Sequence, residues 1–374
     1  MTSQERSPGY TGERHPELFK ERPAKGNKPG QLSRAQLDEF YTRGFTLVRD
    51  FFAKEELDAL KVDIVAKVSE LADKLYNASK IKDKHEGLGF YHRLCAIERD
   101  FPGANIVLLK MTPNLPPSFR AIAAHERMLN LLEDIVGPNI SFNPVWNLRT
   151  KTPNNAASTV PWHQDSGYFD VESYNALIVT AWVPLLDANE QNGTLQMVPG
   201  CHRDGYIAKH TCCAGPTWYI DLDEDIIEKE FGVDMAKDPV TLDVPYGSFL
   251  LFNNFTPHRS LNNRSDVVRW SIDFRWQRTG TPAGLFGLKP TCAPRRGAEL
   301  PARLGSSEVA ASFDSGDRNR AQLESMARDD SAADEFSILM SGPWMKKWEI
   351  VNHNKHTDEF EKNSEDWKLE MLHG

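Results

Sequence analysis

The pattern of apolar and polar positions changes character near residue 140. Before it, Leu57, Leu60, Ile64, Val68, Leu71 and Leu75 recur at intervals of three and four between Lys54 and Tyr76, which places them on one stripe of an amphipathic helix. Upstream, Ser33-Arg34-Ala35-Gln36 has the form of a capping box, with apolar Leu37, Phe40 and Tyr41 behind it and Gly44 as a stop. This predicts a short helix leading into a strand at Phe45–Val48. After residue 140 the apolar runs are short and β-rich: Ile140–Leu148, Ala176–Leu186, Thr194–Val198, Gly247–Asn253 and Val267–Gln277. Pro, Gly and Asn separate them, the pattern of a sandwich or barrel. No internal repeat is found. Residues 1–31, rich in Pro, Gly and charge, read as a flexible arm. Residues 279–304 read as a Pro/Gly-rich loop, and Gln322–Arg328 and Glu359–Leu372 as candidate helices. The predicted plan is an arm (1–31), a domain of helices followed by a β core (32–285), and an extension packing on that core (286–374).

The last of the β-rich runs is the most informative. Val268, Trp270, Ile272, Phe274 and Trp276 alternate with Arg269, Ser271, Asp273 and Arg275, so one face is apolar and the other polar. A solvent-facing polar side is the ordinary explanation, and a buried cation facing an anionic ligand is the other. The choice depends on Pro161-Trp162-His163-Gln164-Asp165. On a strand, His163 and Asp165 project together and Gln164 turns away. An imidazole and a carboxylate are two of the three ligands of a facial triad, which a distant histidine completes while leaving cis positions open. His-x-Asp alone is a weak signal. Here Pro257-His258 follows the buried run Gly247–Phe252, and a turn at Asn262–Ser265 leads into the alternating strand. If the open positions take 2-oxoglutarate through its carboxylate and keto oxygens, its far carboxylate needs a buried cation. Arginine suits this, being permanently charged and able to grip a carboxylate with two bonds. Arg269, one hairpin beyond His258, meets that need.

These pieces, in this order, resemble the phytanoyl-CoA dioxygenase-like family of Fe(II)/2-oxoglutarate oxygenases. The matching stretches are Leu32–Val48, His163-Gln164-Asp165, Trp182–Asp187, Asn192–Leu195 with Pro199–His202, His258-x-Ser260 and Arg269. The resemblance covers about residues 32–285. It implies a mostly β fold, a double-stranded β-helix (jelly roll, cupin-like) with flanking helices. It also implies Fe(II) on His163, Asp165 and His258, with 2-oxoglutarate and O₂ as co-substrates. Arg269 would hold the keto acid, with Ser260 and Trp182 as further contacts. The expected reaction is oxidation, most simply hydroxylation, of an unactivated C–H bond of a small molecule, with succinate and CO₂ released; desaturation or cyclisation needs no different ligands. Halogenation is disfavoured, because a halide would need the position of Asp165. Two alternatives stay open: a cupin-like iron dioxygenase independent of 2-oxoglutarate, and a non-catalytic metal-binding barrel that senses a ligand.

Composition narrows the setting. The net charge is -9, and the densest basic stretch, Lys80–His85, already contains an acid, so neither nucleic acid nor an anionic membrane is an expected partner. Cys95, Cys201, Cys212, Cys213 and Cys292 are odd in number and include no CxxC pair. They signal neither a disulfide framework nor a thiolate zinc site, which suits a reducing compartment. The polar N-terminal stretch and the absence of a long apolar run make the cytoplasm the expected location. Oligomeric state is left open. His202 reads as structural, and His210 beside Cys212-Cys213 lacks partners for a metal site. Asn147, Arg149 and Lys151 share a strand face, so one of them is a candidate contact to keto acid or substrate. Trp146, Trp162, Tyr168, Phe169 and Tyr174 are chiefly core candidates that also offer an aromatic pocket.

Overall fold

The computed structural model describes residues 7–112, 115–143, 145–282, 335–342 and 344–362. The first helix, α1 (Arg34–Arg43), begins as its sequence dictates. Ser33 Oγ accepts from Gln36 N at 3.2 Å, and the Gln36 side chain accepts from Ser33 N at 3.0 Å. Gly44 ends it at φ 93°, and a Cβ there would strike Thr256 Oγ1 and His202 Nδ1. Helix α2 (Lys54–Asn77) buries the predicted leucine stripe. It is followed by α3 (Arg93–Asp100), α4 (Ala104–Lys110), α5 (Pro117–Ala123) and α6 (Glu126–Val136), with α7 (Glu224–Phe231) and α8 (Trp344–Lys347) farther along.

Eleven strands are present among the described residues: β1 (Phe45–Val48), β2 (Ile140–Phe142), β3 (Asn147–Lys151), β4 (Ile178–Pro184), β5 (Leu195–Met197), β6 (Thr211–Cys212), β7 (Ile220–Asp221), β8 (Val240–Thr241), β9 (Phe249–Asn253), β10 (His258–Ser260) and β11 (Arg269–Arg278). The large antiparallel sheet runs β1-β9-β4-β11, and the far side of β11 pairs β2 at one end and β3 at the other. A smaller antiparallel sheet runs β10-β5-β8, and β6 with β7 forms a separate pair. Bridges at His163–His258 and Ala188–Val244 link outlying segments to one another. The result is the expected double-stranded β-helix with flanking helices.

Strand β11 settles the question its alternation posed. Trp270, Ile272, Phe274 and Trp276 pack with the leucine stripe of α2 into the main apolar core. The polar face is buried as well: Arg269, Ser271, Asp273 and Arg275 are at most 4% exposed. The polar face therefore points into the barrel rather than to water.

Both ends of the chain differ in part from expectation. From Ser7 the arm lies against the body. Gly9 N donates to Lys347 O at 3.0 Å, Tyr174 Oη donates to Gly9 O at 2.7 Å, and Gly26 N donates to Asp134 Oδ1 at 3.1 Å. A segment too polar to build its own core thus satisfies its backbone groups on a surface formed elsewhere in the chain. The Gln322–Arg328 helix lies outside the described residues. Glu359–Leu372 overlaps a helical stretch at 355–362, and its remainder also lies outside them. No helix among the described residues is long and apolar enough to cross a membrane.

Candidate active site

His163 and His258 face each other through reciprocal backbone bonds, His163 N to His258 O at 3.0 Å and His258 N to His163 O at 2.9 Å. Each ring is aimed by its own chain. Nδ1 of His163 lies 2.9 Å from Pro161 O, and Nδ1 of His258 lies 3.0 Å from Thr256 O. A carbonyl only accepts, so Nδ1 carries the hydrogen and Nε2 turns its lone pair into the site. Asp165 is not on a strand but opens a 3₁₀ turn, Asp165–Gly167. It still shares a side with His163, because Gln164 is pinned the other way. Gln164 Nε2 donates to Tyr206 O and Phe255 O at 2.8 and 2.7 Å, and its Oε1 accepts from Ala208 N at 2.9 Å.

The two Nε2 atoms lie 3.6 and 3.9 Å from Asp165 Oδ1, and the three candidate ligand atoms all fall within 4.8 Å of one another. Burial alone would raise the Asp165 carboxyl, but Arg275 and the two histidines hold it well below the usual carboxylate range. Burial, then the neighbouring His163, pushes His258 down to about 3, so its imidazole is neutral near pH 7. A carboxylate and two imidazoles whose Nε2 atoms face it are the donor set of a facial triad.

A cavity open to solvent adjoins the triad and is lined by both histidines. Arg269, 2% exposed, lines it; the guanidinium donates from Nη1 to Ser271 Oγ and lies 5.2 Å from the centre of the Trp182 ring. Its Nε has no hydrogen-bond partner among the described residues. Burial pushes this guanidinium down to about 9 against the opposing pull of Asp273. A buried cation with an unused donor is costly by itself and matched to an anion. Ser260 also lines the cavity; its Oγ accepts from Val160 N at 2.9 Å and keeps its own proton to donate. Lys151, the register partner of Arg269, is equally buried, and its ammonium donates to Thr159 Oγ1 at 3.3 Å.

Residues 40–271 match the family described as Phytanoyl-CoA dioxygenase (PhyH). The chain belongs to this family. It is therefore an Fe(II)- and 2-oxoglutarate-dependent oxygenase, as its motifs imply, and the donor set and the buried Arg269 fit both groups. The ectoine dioxygenase of Halomonas elongata is 28% identical over 265 residues, 67% of this chain and 71% of that one. The 1-deoxypentalenic acid 11-beta-hydroxylase of Streptomyces arenae is 30% identical over 133 residues, 35% of this chain and 45% of that one. The solved apoform of EctD from S. alaskensis covers 76% of this chain and 90% of its own at 17% identity, with a TM-score of 0.46.

Other candidates fall into place around the PhyH site. Arg149 and Lys151 line the cavity and Asn147 does not. Arg149 is engaged by Asp273, Nε to Oδ2 at 2.8 Å. Trp146, Trp162, Tyr168, Phe169 and Tyr174 do not line the cavity; its aromatic wall is Trp182 and Phe252 with Trp218 and Tyr219. Sequence reasoning missed Trp218 and Tyr219, which follow a loop that only tertiary packing brings to the site. It also gave no role to Arg275 and Thr180, whose bonds to Asp165 could have been sought on the inward faces of β11 and β4. His202 is away from the triad, with Nε2 3.1 Å from Tyr41 O. His210 accepts from Gln164 N at 3.0 Å and so orients the residue between His163 and Asp165. Cys212 and Cys213 are joined to each other in a disulfide, which the cysteine count did not anticipate because adjacent residues close no loop.

Proposed function

We propose that this PhyH-family protein oxidises an unactivated C–H bond of a small molecule, by hydroxylation, with succinate and CO₂ as co-products. In this reading His163, Asp165 and His258 hold Fe(II), and Arg269 receives the far carboxylate of 2-oxoglutarate with Ser260 and Trp182 beside it. Bound there, Fe(II) and the keto acid supply O₂ activation coupled to oxidative decarboxylation. The observation that carries the reading is Arg269: a buried guanidinium whose Nε has no partner among the described residues, in a cavity shared with both histidines. A metal site that used no keto acid would leave that cation, and Lys151 beside it, facing a cavity whose lining carboxylate, Asp273, is already bonded to Arg149.

The protein's own groups each have a task. The carbonyls of Pro161 and Thr256 fix the histidine tautomers. Arg275 and Thr180 fix the carboxylate of Asp165. Trp182, Trp218 and Tyr219 narrow the cavity and limit water at the reacting position. The names of the two relatives refer to different compounds, ectoine and 1-deoxypentalenic acid, so the likeness supports a reaction type and not one substrate. The test is succinate formation from 2-oxoglutarate across a panel of small molecules. Succinate should require Fe(II), O₂ and an accepted substrate, and should be absent with His163→Ala. Succinate formation independent of Fe(II) would refute the proposal.

A further inference from the structure

The C-terminal segment lies outside the stretch matched by the family, yet it closes against the turn that carries Asp165. Lys347 is fully buried; its ammonium donates to Ser166 O at 2.7 Å and also to Phe169 O. The next residue, Trp348, donates from Nε1 to Gly167 O at 2.8 Å. A turn this short leaves carbonyls pointing in divergent directions, and an ammonium with three donors is suited to gathering them. The Trp348 ring also lies 5.0 Å, centre to centre, from His210, whose Nε2 accepts from Gln164 N. Both flanks of Asp165 are thus held, residue 164 through His210 and residues 166–169 directly.

The same segment reaches the cavity wall. Cys212 N donates to Glu349 O at 2.8 Å, and Trp344 Nε1 donates to Trp218 O at 2.8 Å. Trp218 lines the cavity, so one short strap ties the metal turn to that wall.

We infer that residues 344–350 form a working part of the metal site, with Lys347 and Trp348 as positioning residues that hold Asp165 where it meets the two histidines. The inference rests on reading Asp165 as a metal ligand, and the experiment separates the two. Mn(II) is titrated calorimetrically into the metal-free, full-length protein, and thermal unfolding of the same samples is recorded. Lys347→Met keeps the apolar stem and removes the donors; Mn(II) affinity should fall about tenfold, the low end for residues that orient metal ligands. Trp348→Phe keeps an aromatic side chain, though a smaller one, and removes one N–H, and should weaken Mn(II) roughly threefold, below that range because one bond of three is lost. Asn352→Ala removes a bond to Cys213 O just beyond the strap, and should leave Mn(II) affinity at the wild-type value even if Tm falls. Wild-type affinity in both Lys347→Met and Trp348→Phe, whatever their Tm, would overturn the inference and leave the strap a purely structural tie. If Lys347→Met does not fold, Trp348→Phe decides alone. No Mn(II) binding by the wild type would overturn the triad itself and the strap's role with it.

Discussion

Arg275 grips Asp165 through two buried hydrogen bonds, Nε to Oδ2 and Nη2 to Oδ1, each 3.0 Å long. Oδ1 is also the oxygen that faces the Nε2 atoms of His163 and His258. The carboxylate is therefore held from behind in the plane that its partners require. Thr180 Oγ1 donates a third bond, to Oδ2 at 3.0 Å.

Replacing Arg275 with Gln should leave a buried carboxylate without its cation, a loss of about 3–5 kcal/mol for a broken buried pair. The metal-free protein should unfold at a lower temperature, and Fe(II) affinity should fall because Asp165 is free to rotate. Arg275→Lys should be intermediate, keeping the charge without the planar fork. Thermal unfolding with and without Fe(II) reads both effects. Unchanged Fe(II) affinity in Arg275→Gln would remove Arg275 from the site.

Arg269→Gln should weaken 2-oxoglutarate on the order of a hundredfold or more, as expected when a buried carboxylate loses its cation. Fe(II) binding should persist, since the triad is untouched. Arg269→Lys should recover only part of the loss. The measurement is the keto-acid dependence of succinate formation at saturating substrate. The same dependence in all three proteins would make Arg269 structural.

Lys151 faces the cavity beside Arg269, and burial first, then Arg269 and Arg149, drive its ammonium well below the ordinary lysine range. Lys151→Met should relieve that penalty and stabilise the protein free of keto acid. If the ammonium also helps hold the far carboxylate, 2-oxoglutarate should bind roughly tenfold more weakly, the loss of one charge-assisted bond. Calorimetry and thermal unfolding check the two directions separately. A lower Tm with unchanged keto-acid affinity would contradict both.

Burial pushes the His202 imidazole down to about 4 from 6.5, although its bond to the Tyr41 carbonyl opposes the shift. As pH falls, the unfolded chain takes up this proton first. The stability is complete above about pH 6.5 and is lost as pH falls towards about 4, a change on the order of 3 kcal/mol. His202→Gln, which does not titrate, should flatten the stability profile across that window. His210 and His356 are depressed in the same sense, so some slope should remain. An unaltered acid limb in His202→Gln would contradict the assignment.

What the chain reveals before folding follows the range of each interaction. The α2 stripe and the alternation in β11 are local periodicities, and both stand in the structure. His163, Asp165, His258 and Arg269 were singled out from short motifs in a characteristic order, and the structure brings the first three together. The means by which Asp165 reaches its partners was hidden. A strand was expected, but its place depends on Gln164 anchoring to Tyr206 and Phe255 and on Lys347 reaching Ser166 across the chain. The wall at Trp218 and Tyr219 and the docked arm from Ser7 are likewise set by distant partners, and no local pattern encodes them.

The central claim is that one Fe(II) and one 2-oxoglutarate meet on this triad. An anaerobic optical titration of 2-oxoglutarate into the Fe(II)-loaded protein tests it most directly, because a keto acid chelating Fe(II) produces a visible charge-transfer band. The band should saturate at about one keto acid per chain, since a facial triad leaves three positions and the chelate takes two. It should be lost in His163→Ala and His258→Ala, and should need far more keto acid in Arg269→Gln. A wild-type protein that loads Fe(II) yet shows no band, or an undiminished band in His163→Ala, would contradict the account.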